Sequence, residues 1–292
     1  MKFTANPYAY GALAAEQHIK AWGIAAFPID PFAIASEFKI TVAAKPASHP
    51  GVSGMLIRVG NAFAIAYATH IDNEPFQRYS VSHELGHYFL PGHPEAVLDA
   101  RGIHESRAQF TSKDRYEMEA DGFAAGLLMP RHLFFPALER AGQGLAAVES
   151  LATLCKTSLH ATAIRFAQCT REPAAIVVSV GSRIDHCFMS EALKAVDGID
   201  WLHKREAVPR NTPTFTFNQD AENVRRAVRI EESSSLQDWF GGHRRVSISE
   251  DVVGLGNYGK TLTVLYDINL PEPEEDEDEA ALVESWTPRF MD

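Results

Sequence analysis

The run His83-Glu84-Leu85-Gly86-His87 constrains this 292-residue chain more than any other stretch. On an α-helix residues four apart share a face, so both imidazoles can reach one metal ion. Glu84 sits beside that face and can touch a water at the same point, the arrangement in which two histidines ligate and a glutamate acts as general base. The flanks suit a helix: Asn73 can cap one from Glu74 to Leu90, and Pro91-Gly92 ends it. A chain organised around such a helix needs a second element carrying a third protein ligand, and must leave one coordination position open.

Two residues compete for that third place. His93 lies six positions after His87, but the related HExxHxxGxxH pattern needs glycine where this chain has Leu90, and its glycine comes late, at Gly92. The rival is Glu117 on a helix expected from Ser112 or Asp114 to Leu128, and it is the better placed. Glu117 and Asp121 are four apart, so the first can ligate while the second holds the outer nitrogen of a ligand histidine. Glu119 points about 200° away on an ideal helix and is expected to be solvated. An oxyanion-stabilising side chain is also required; Tyr116 and His104 are near in sequence, and nothing selects either.

The rest of the chain reads as α+β. Helical spacing runs from Ala5 to Trp22, and Asp30-Pro31 opens a short helix through Phe38. Lys39–Ala44, Met55–Val59 and Ala62–Tyr67 read as strands, the last two around a Gly60-Asn61 turn. Val148–Phe166 reads as two short helices with a turn at Lys156-Thr157, similar to a helix-turn-helix. Strand patterns follow at Ala174–Val180, Arg244–Ile248 and Thr261–Ile268. These readings divide the chain into a peptidase-type domain (1–138), a helical linker (139–171) and an α/β accessory domain (172–292).

The net charge is −11, but seven acidic side chains lie within 272–279, and without them the remainder carries −4. Such a run is expected to be solvated and argues against a broad DNA-binding surface. Trp286 to Phe290, beyond it, is apolar enough to dock on the body. No apolar run spans a membrane and the start shows no export signal, so a cytoplasmic protein is expected. Cys155, Cys169 and Cys187 form no CxxC and read as reduced thiols.

The paired motifs His83-Glu84-Leu85-Gly86-His87 and Glu117-Met118-Glu119-Ala120-Asp121-Gly122-Phe123-Ala124-Ala125-Gly126-Leu127-Leu128-Met129-Pro130 resemble the ImmA/IrrE family of metallo-endopeptidases. Pro31-Phe32-Ala33-Ile34-Ala35 and Gly51-Val52-Ser53-Gly54 are similar to it as well, so the resemblance spans about residues 8 to 170. It implies a zincin-like domain with His83, His87 and Glu117 as metal ligands, Glu84 as base and Asp121 behind a ligand. It also implies a helix-turn-helix-like linker and, in some members, a GAF-like C-terminal domain, although residues 171–292 carry no matching GAF motif. Zinc is the implied metal, and the same ligands accept manganese. The implied activity is cleavage of a partner helix-turn-helix repressor, inducing stress-response or mobile-element genes. The competing expectation is a non-catalytic metal-binding regulator or antitoxin-like partner.

Other signals are weaker. Gly254–Thr261 fits both GxGxxG and GxxxxGK[ST], yet a phosphate-binding loop must lead into a helix, and Leu262–Ile268 reads as a strand. A glycine-rich hairpin is expected there, without a nucleotide. Lys156 and Arg165 are the sole cations between Val148 and Phe166, so direct DNA binding is not expected. The clusters Arg225, Arg226, Arg229 and His243, Arg244, Arg245 read as solvated faces or as partners for the acidic run.

Overall fold

The computed structural model describes residues 6–45, 51–107, 114–242 and 245–268. In chain order the first half forms α1 (Pro7–Ala21), α2 (Pro31–Glu37), β1 (Thr41–Ala44), β2 (Val52–Val59), β3 (Ala62–Tyr67), α3 (Glu74–Phe89), α4 (His93–Val97), β4 (Ile103–Arg107) and α5 (Arg115–Leu128). Local chemistry sets the helix starts. The side chains of Asn6, Asp30, Asn73 and Asp114 accept the amides of Tyr8, Phe32, Phe76 and Tyr116 at 2.8–3.0 Å. Each such cap contributes about 1 kcal/mol.

The first sheet has the order β1-β3-β2-β4, with β1 parallel to β3 and the other pairs antiparallel. β2 extends upstream of the expected strand, beginning at Val52. β4 was not expected: its sequence, Ile-His-Glu-Ser-Arg, lacks the apolar alternation of a half-buried strand because it lies at the sheet edge. Leu56 and Ile65 meet Val81 and Leu85 of α3, Ile19 of α1, and Phe123 and Leu127 of α5 in one core.

α1 and α5 pack backbone against backbone. A Cβ on Gly11 would lie 1.8 Å from the Glu119 carbonyl oxygen, one on Gly122 2.0 Å from that of Tyr8, and one on Gly126 2.4 Å from that of Ala12. Only glycine permits this approach, so the glycines of the second motif set the distance between α1 and the helix that carries the acidic residues.

The chain continues through α6 (Arg131–Ala141), α7 (Gly144–Cys155) and α8 (Leu159–Cys169) into β5 (Ala175–Val180), β6 (Arg183–Met189), β7 (Arg229–Ser235), β8 (Ser247–Gly254) and β9 (Thr261–Tyr266). These strands form an antiparallel sheet of order β6-β5-β9-β8-β7. Side-chain alternation divides its faces. Ile176, Val178, Leu262, Val264 and Val253 pack under α6–α8, while Ala175, Val177, Leu265 and Ile248 pack with Leu236, Trp239 and Phe240 on the other side. The helices at 131–169 therefore form the cover of the second sheet, and Leu128 and Met129 at the end of α5 join that core. Asp251 on β8 fastens the cover by accepting the Leu145 amide at the start of α7, 2.8 Å away.

The Gly254–Thr261 run closes the β8–β9 hairpin through a 3-10 turn at Gly256–Tyr258, and a strand follows Lys260. The turn between α7 and α8 falls at Lys156, in the left-handed region (φ 54°). The strand expected at Arg244–Ile248 begins at Ser247 instead. Arg244, His243, the acidic run 272–279 and Trp286–Phe290 lie outside the described residues. The three cysteines are free thiols, Cys155 and Cys169 buried. Among the described residues no helix is long and apolar enough to cross a membrane.

Replacing Gly122 by alanine should lower stability by about 1–3 kcal/mol, overpacking the crossing by more than the ~1 kcal/mol alanine contributes to helix propensity. Urea unfolding of wild type and Gly122→Ala checks this, and an unchanged midpoint would contradict the backbone contact.

Candidate metal centre

α3 and α5 cross tightly where Gly86, inside the histidine motif, meets Ala120. A Cβ on Gly86 would stand 3.1 Å from the Ala120 Cα. The crossing brings the polar faces of both helices to one buried point. His83, His87 and Glu117 each direct a ligand atom there, all within 4.8 Å of one another. His83 Nε2 and His87 Nε2 are 3.1 Å apart. The Glu117 carboxylate oxygens lie 3.3 Å from the first nitrogen and 3.5 Å from the second.

These separations fit a metal. Ligand atoms about 2.05 Å from a tetrahedral ion stand about 3.3 Å from each other, close to all three distances. Asp121 Oδ1 accepts the His83 Nδ1 proton at 2.9 Å and the Tyr79 hydroxyl at 2.9 Å. That bond places a proton on Nδ1, so that the neutral His83 ring keeps its lone pair on Nε2, facing the cluster.

The field at this point favours positive charge. Burial, the largest influence on His83, lowers its pKa, but the hydrogen bonds to Asp121 and Glu117 outweigh it and raise it to about 10. Burial drives His87 down to about 3, although the nearby Glu117 carboxylate favours its charged form. Burial works to raise Glu117, yet its contacts with His104, His83 and His87 hold it far below the usual carboxylate range. Carboxylates that hold a proton on one imidazole are equally suited to hold a metal cation between two.

Glu84 occupies a different environment. It is completely buried, and neither carboxylate oxygen has a hydrogen-bond partner. Burial raises its pKa, with His83 and His104 opposing. Ser106 is near enough to favour the charged form but makes no hydrogen bond of normal geometry to it. The strand above supplies the space: β2 and β4 shift register between Val52 and Gly54, and a Cβ on Gly54 would come within 2.5 Å of Glu84 Oε1.

Other residues differ from the expectations. Glu119 is buried rather than solvated, accepting from His93 Nε2 at 2.9 Å and from Arg115 Nε at 2.5 Å. The carboxylate is covered by His93, which the turn at Gly92 (φ 78°) delivers at the start of α4. His93 stands outside the convergent set and touches His87, Nδ1 to Nδ1, at 3.2 Å; burial lowers its pKa. His104, which the sequence could not select over Tyr116, enters from β4 with Nε2 3.0 Å from Glu117 Oε1 and 3.2 Å from Ser106 Oγ. Tyr116 packs edge-on against His93. The signal for His104 was its place on an edge strand beside β2, invisible until β4 was recognised.

Residues 35–167, from α2 to α8, match the model of the IrrE N-terminal-like domain, Peptidase_M78. Among solved structures, a Mycobacterium tuberculosis transcriptional regulator is similar over 88% of this chain and 75% of its own, with 14% identity and a TM-score of 0.55. At that identity the likeness concerns the fold. No curated protein matches the sequence.

Gly54→Ala should leave zinc binding within about threefold of wild type while displacing the Glu84 carboxylate, since the three atoms nearest the added Cβ all belong to Glu84. Zinc titration with a crystal structure of the variant checks both parts, and a Glu84 side chain in its original place would refute the steric argument.

Proposed function

We propose, from the premise that residues 35–167 belong to the IrrE N-terminal-like peptidase family, that this chain is a metal-dependent endopeptidase. The observation that carries the reading is the convergence of His83, His87 and Glu117, with ligand atoms all within 4.8 Å of one another, beside a buried Glu84 whose oxygens have no hydrogen-bond partner. His83, His87 and Glu117 would hold the metal, zinc in first place and manganese on the same ligands. When bound, the metal supplies Lewis acidity that polarises the scissile carbonyl and acidifies a water.

The side chains account for the remaining steps. Glu84 takes a proton from the attacking water on a carboxylate oxygen and returns it to the leaving amine. The bulged strand at Gly54 leaves that carboxylate room without offering it a competing donor. His104, whose Nε2 rests 3.0 Å from Glu117 Oε1, is the imidazole that could exchange that partner for the carbonyl oxygen as negative charge develops. Asp121 and Tyr79 keep the His83 ring fixed through the cycle.

The proposed substrate is a partner helix-turn-helix repressor, with a cytoplasmic role in stress-response or mobile-element control. The resemblance in the two motifs supports it, and the name of the mycobacterial neighbour points to transcription as well. The alternative is a regulator that binds metal without catalysis. Two features favour the enzyme. A structural metal site needs no general base, and the cations of the α7–α8 pair are engaged within the protein. Arg165 binds Glu16 at 2.6 Å and the Met129 carbonyl at 2.8 Å, and Lys156 binds Glu74 at 3.0 Å.

The test incubates the zinc-loaded chain with a repressor encoded beside its gene, for wild type and Glu84→Gln, with metal content measured on the same samples. Cleavage by wild type should fall at least about 100-fold in Glu84→Gln with one metal per chain retained. Metal bound by both and cleavage by neither would favour the regulator.

A further inference from the structure

We infer that Glu119, acting through His93, is a positioning residue that sets the tautomer of His87 and so keeps its Nε2 available to a metal. The inference rests on the metal reading above and goes beyond it, because Glu119 and His93 lie outside the ligand set.

The logic follows the protons. A carboxylate offers only acceptors, so the 2.9 Å contact between Glu119 Oε2 and His93 Nε2 places the His93 proton on Nε2. Glu119's other oxygen is taken by Arg115 Nε. A neutral imidazole has one N–H, which makes His93 Nδ1 an acceptor. The atom facing it at 3.2 Å is His87 Nδ1, which must then be the donor. With its proton on Nδ1, His87 presents a bare Nε2 to His83 Nε2 and Glu117.

Each ligand histidine is thus governed by a carboxylate of α5. Asp121 acts directly on His83, and Glu119 acts on His87 with one imidazole between. The intermediary is needed because Glu119 lies on the far side of α5 from Glu117, about 200° around the helix by the 100° step per residue. His93, delivered by the turn at Gly92, spans the gap. Without the Glu119 acceptor, His93 can carry its proton on Nδ1. His87 must then accept on Nδ1 and hold its own proton on Nε2, where the metal would bind.

The test uses the full chain, labelled with 15N-histidine, as wild type, Glu119→Leu and Glu119→Gln. Zinc affinity is measured against a competing chelator, and imidazole tautomers are read from ring 15N shifts. The metal-free wild type should show protons on His93 Nε2 and His87 Nδ1. Glu119→Leu should lose those tautomers and bind zinc at least about tenfold more weakly. Glu119→Gln, whose carbonyl oxygen can accept the same proton, should recover most of the affinity. A His87 proton on Nε2 in metal-free wild type would overturn the inference even if the leucine variant failed to fold, as would unchanged affinity and shifts in that variant. Failure of wild type to bind zinc would sink the metal reading instead, while the wild-type tautomers would still decide the relay.

Discussion

The crossing of α3 and α5 at Gly86 and Ala120 is the contact on which the candidate centre depends. Two helices normally pack with axes 8–10 Å apart, the distance set by the side chains between them. A glycine facing an alanine lets these helices approach closely enough for Glu117 to meet two imidazoles of α3. The same closeness lets Asp121 reach the back of His83 one turn further along. On the other side, Gly11, Gly122 and Gly126 bring α1 against α5 with no side chain between. α5 is held between two neighbours at backbone distance, so its acidic residues have little freedom to shift.

This tightness explains how a charged cluster survives in an apolar surrounding. Burial of an isolated carboxylate or imidazolium is costly, and buried polar groups are normally hydrogen-bonded. Here Asp121, Glu119 and Glu117 each accept from defined donors, and His83, His87 and His93 each use both ring nitrogens. Glu84 is the exception: its oxygens are buried and unpartnered. A buried carboxylate without a hydrogen-bond partner in an otherwise satisfied network is the kind of local inconsistency that functional sites retain.

The helices of the centre were legible because their signals are local. Asn73 caps where the sequence placed it, Asp114 is the cap of the two starts the sequence left open, and the i, i+4 spacings of His83 with His87 and of Glu117 with Asp121 translate directly into shared faces. What the sequence hid depends on distant chain. Glu119 reads as solvated until the turn at Gly92 lays His93 over it. His104 has no distinguishing neighbour until β4 pairs with β2, and β4 escapes notice because an edge strand of Ile-His-Glu-Ser-Arg need not alternate. β7, Arg229–Ser235, is likewise a polar edge strand, recognisable only through its partner β8.

The second sheet meets both helices of the centre at their ends. Leu128 and Met129, the last turn of α5, enter the core beneath α6–α8, whereas Phe123 and Leu127 belong to the first core. At α3, Tyr258 of the β8–β9 hairpin reaches the Asn73 cap with a 3.4 Å contact, and Lys156 binds Glu74 beside it. From Asn73 to His83 is ten residues, about 15 Å along the helix. The second unit therefore acts on the centre by fixing how the two helices enter and leave their crossing. A change in its arrangement would reach the ligands through the pose of α3 and α5. The chemistry of the site and its orientation are carried by separate parts of the chain, joined through α5.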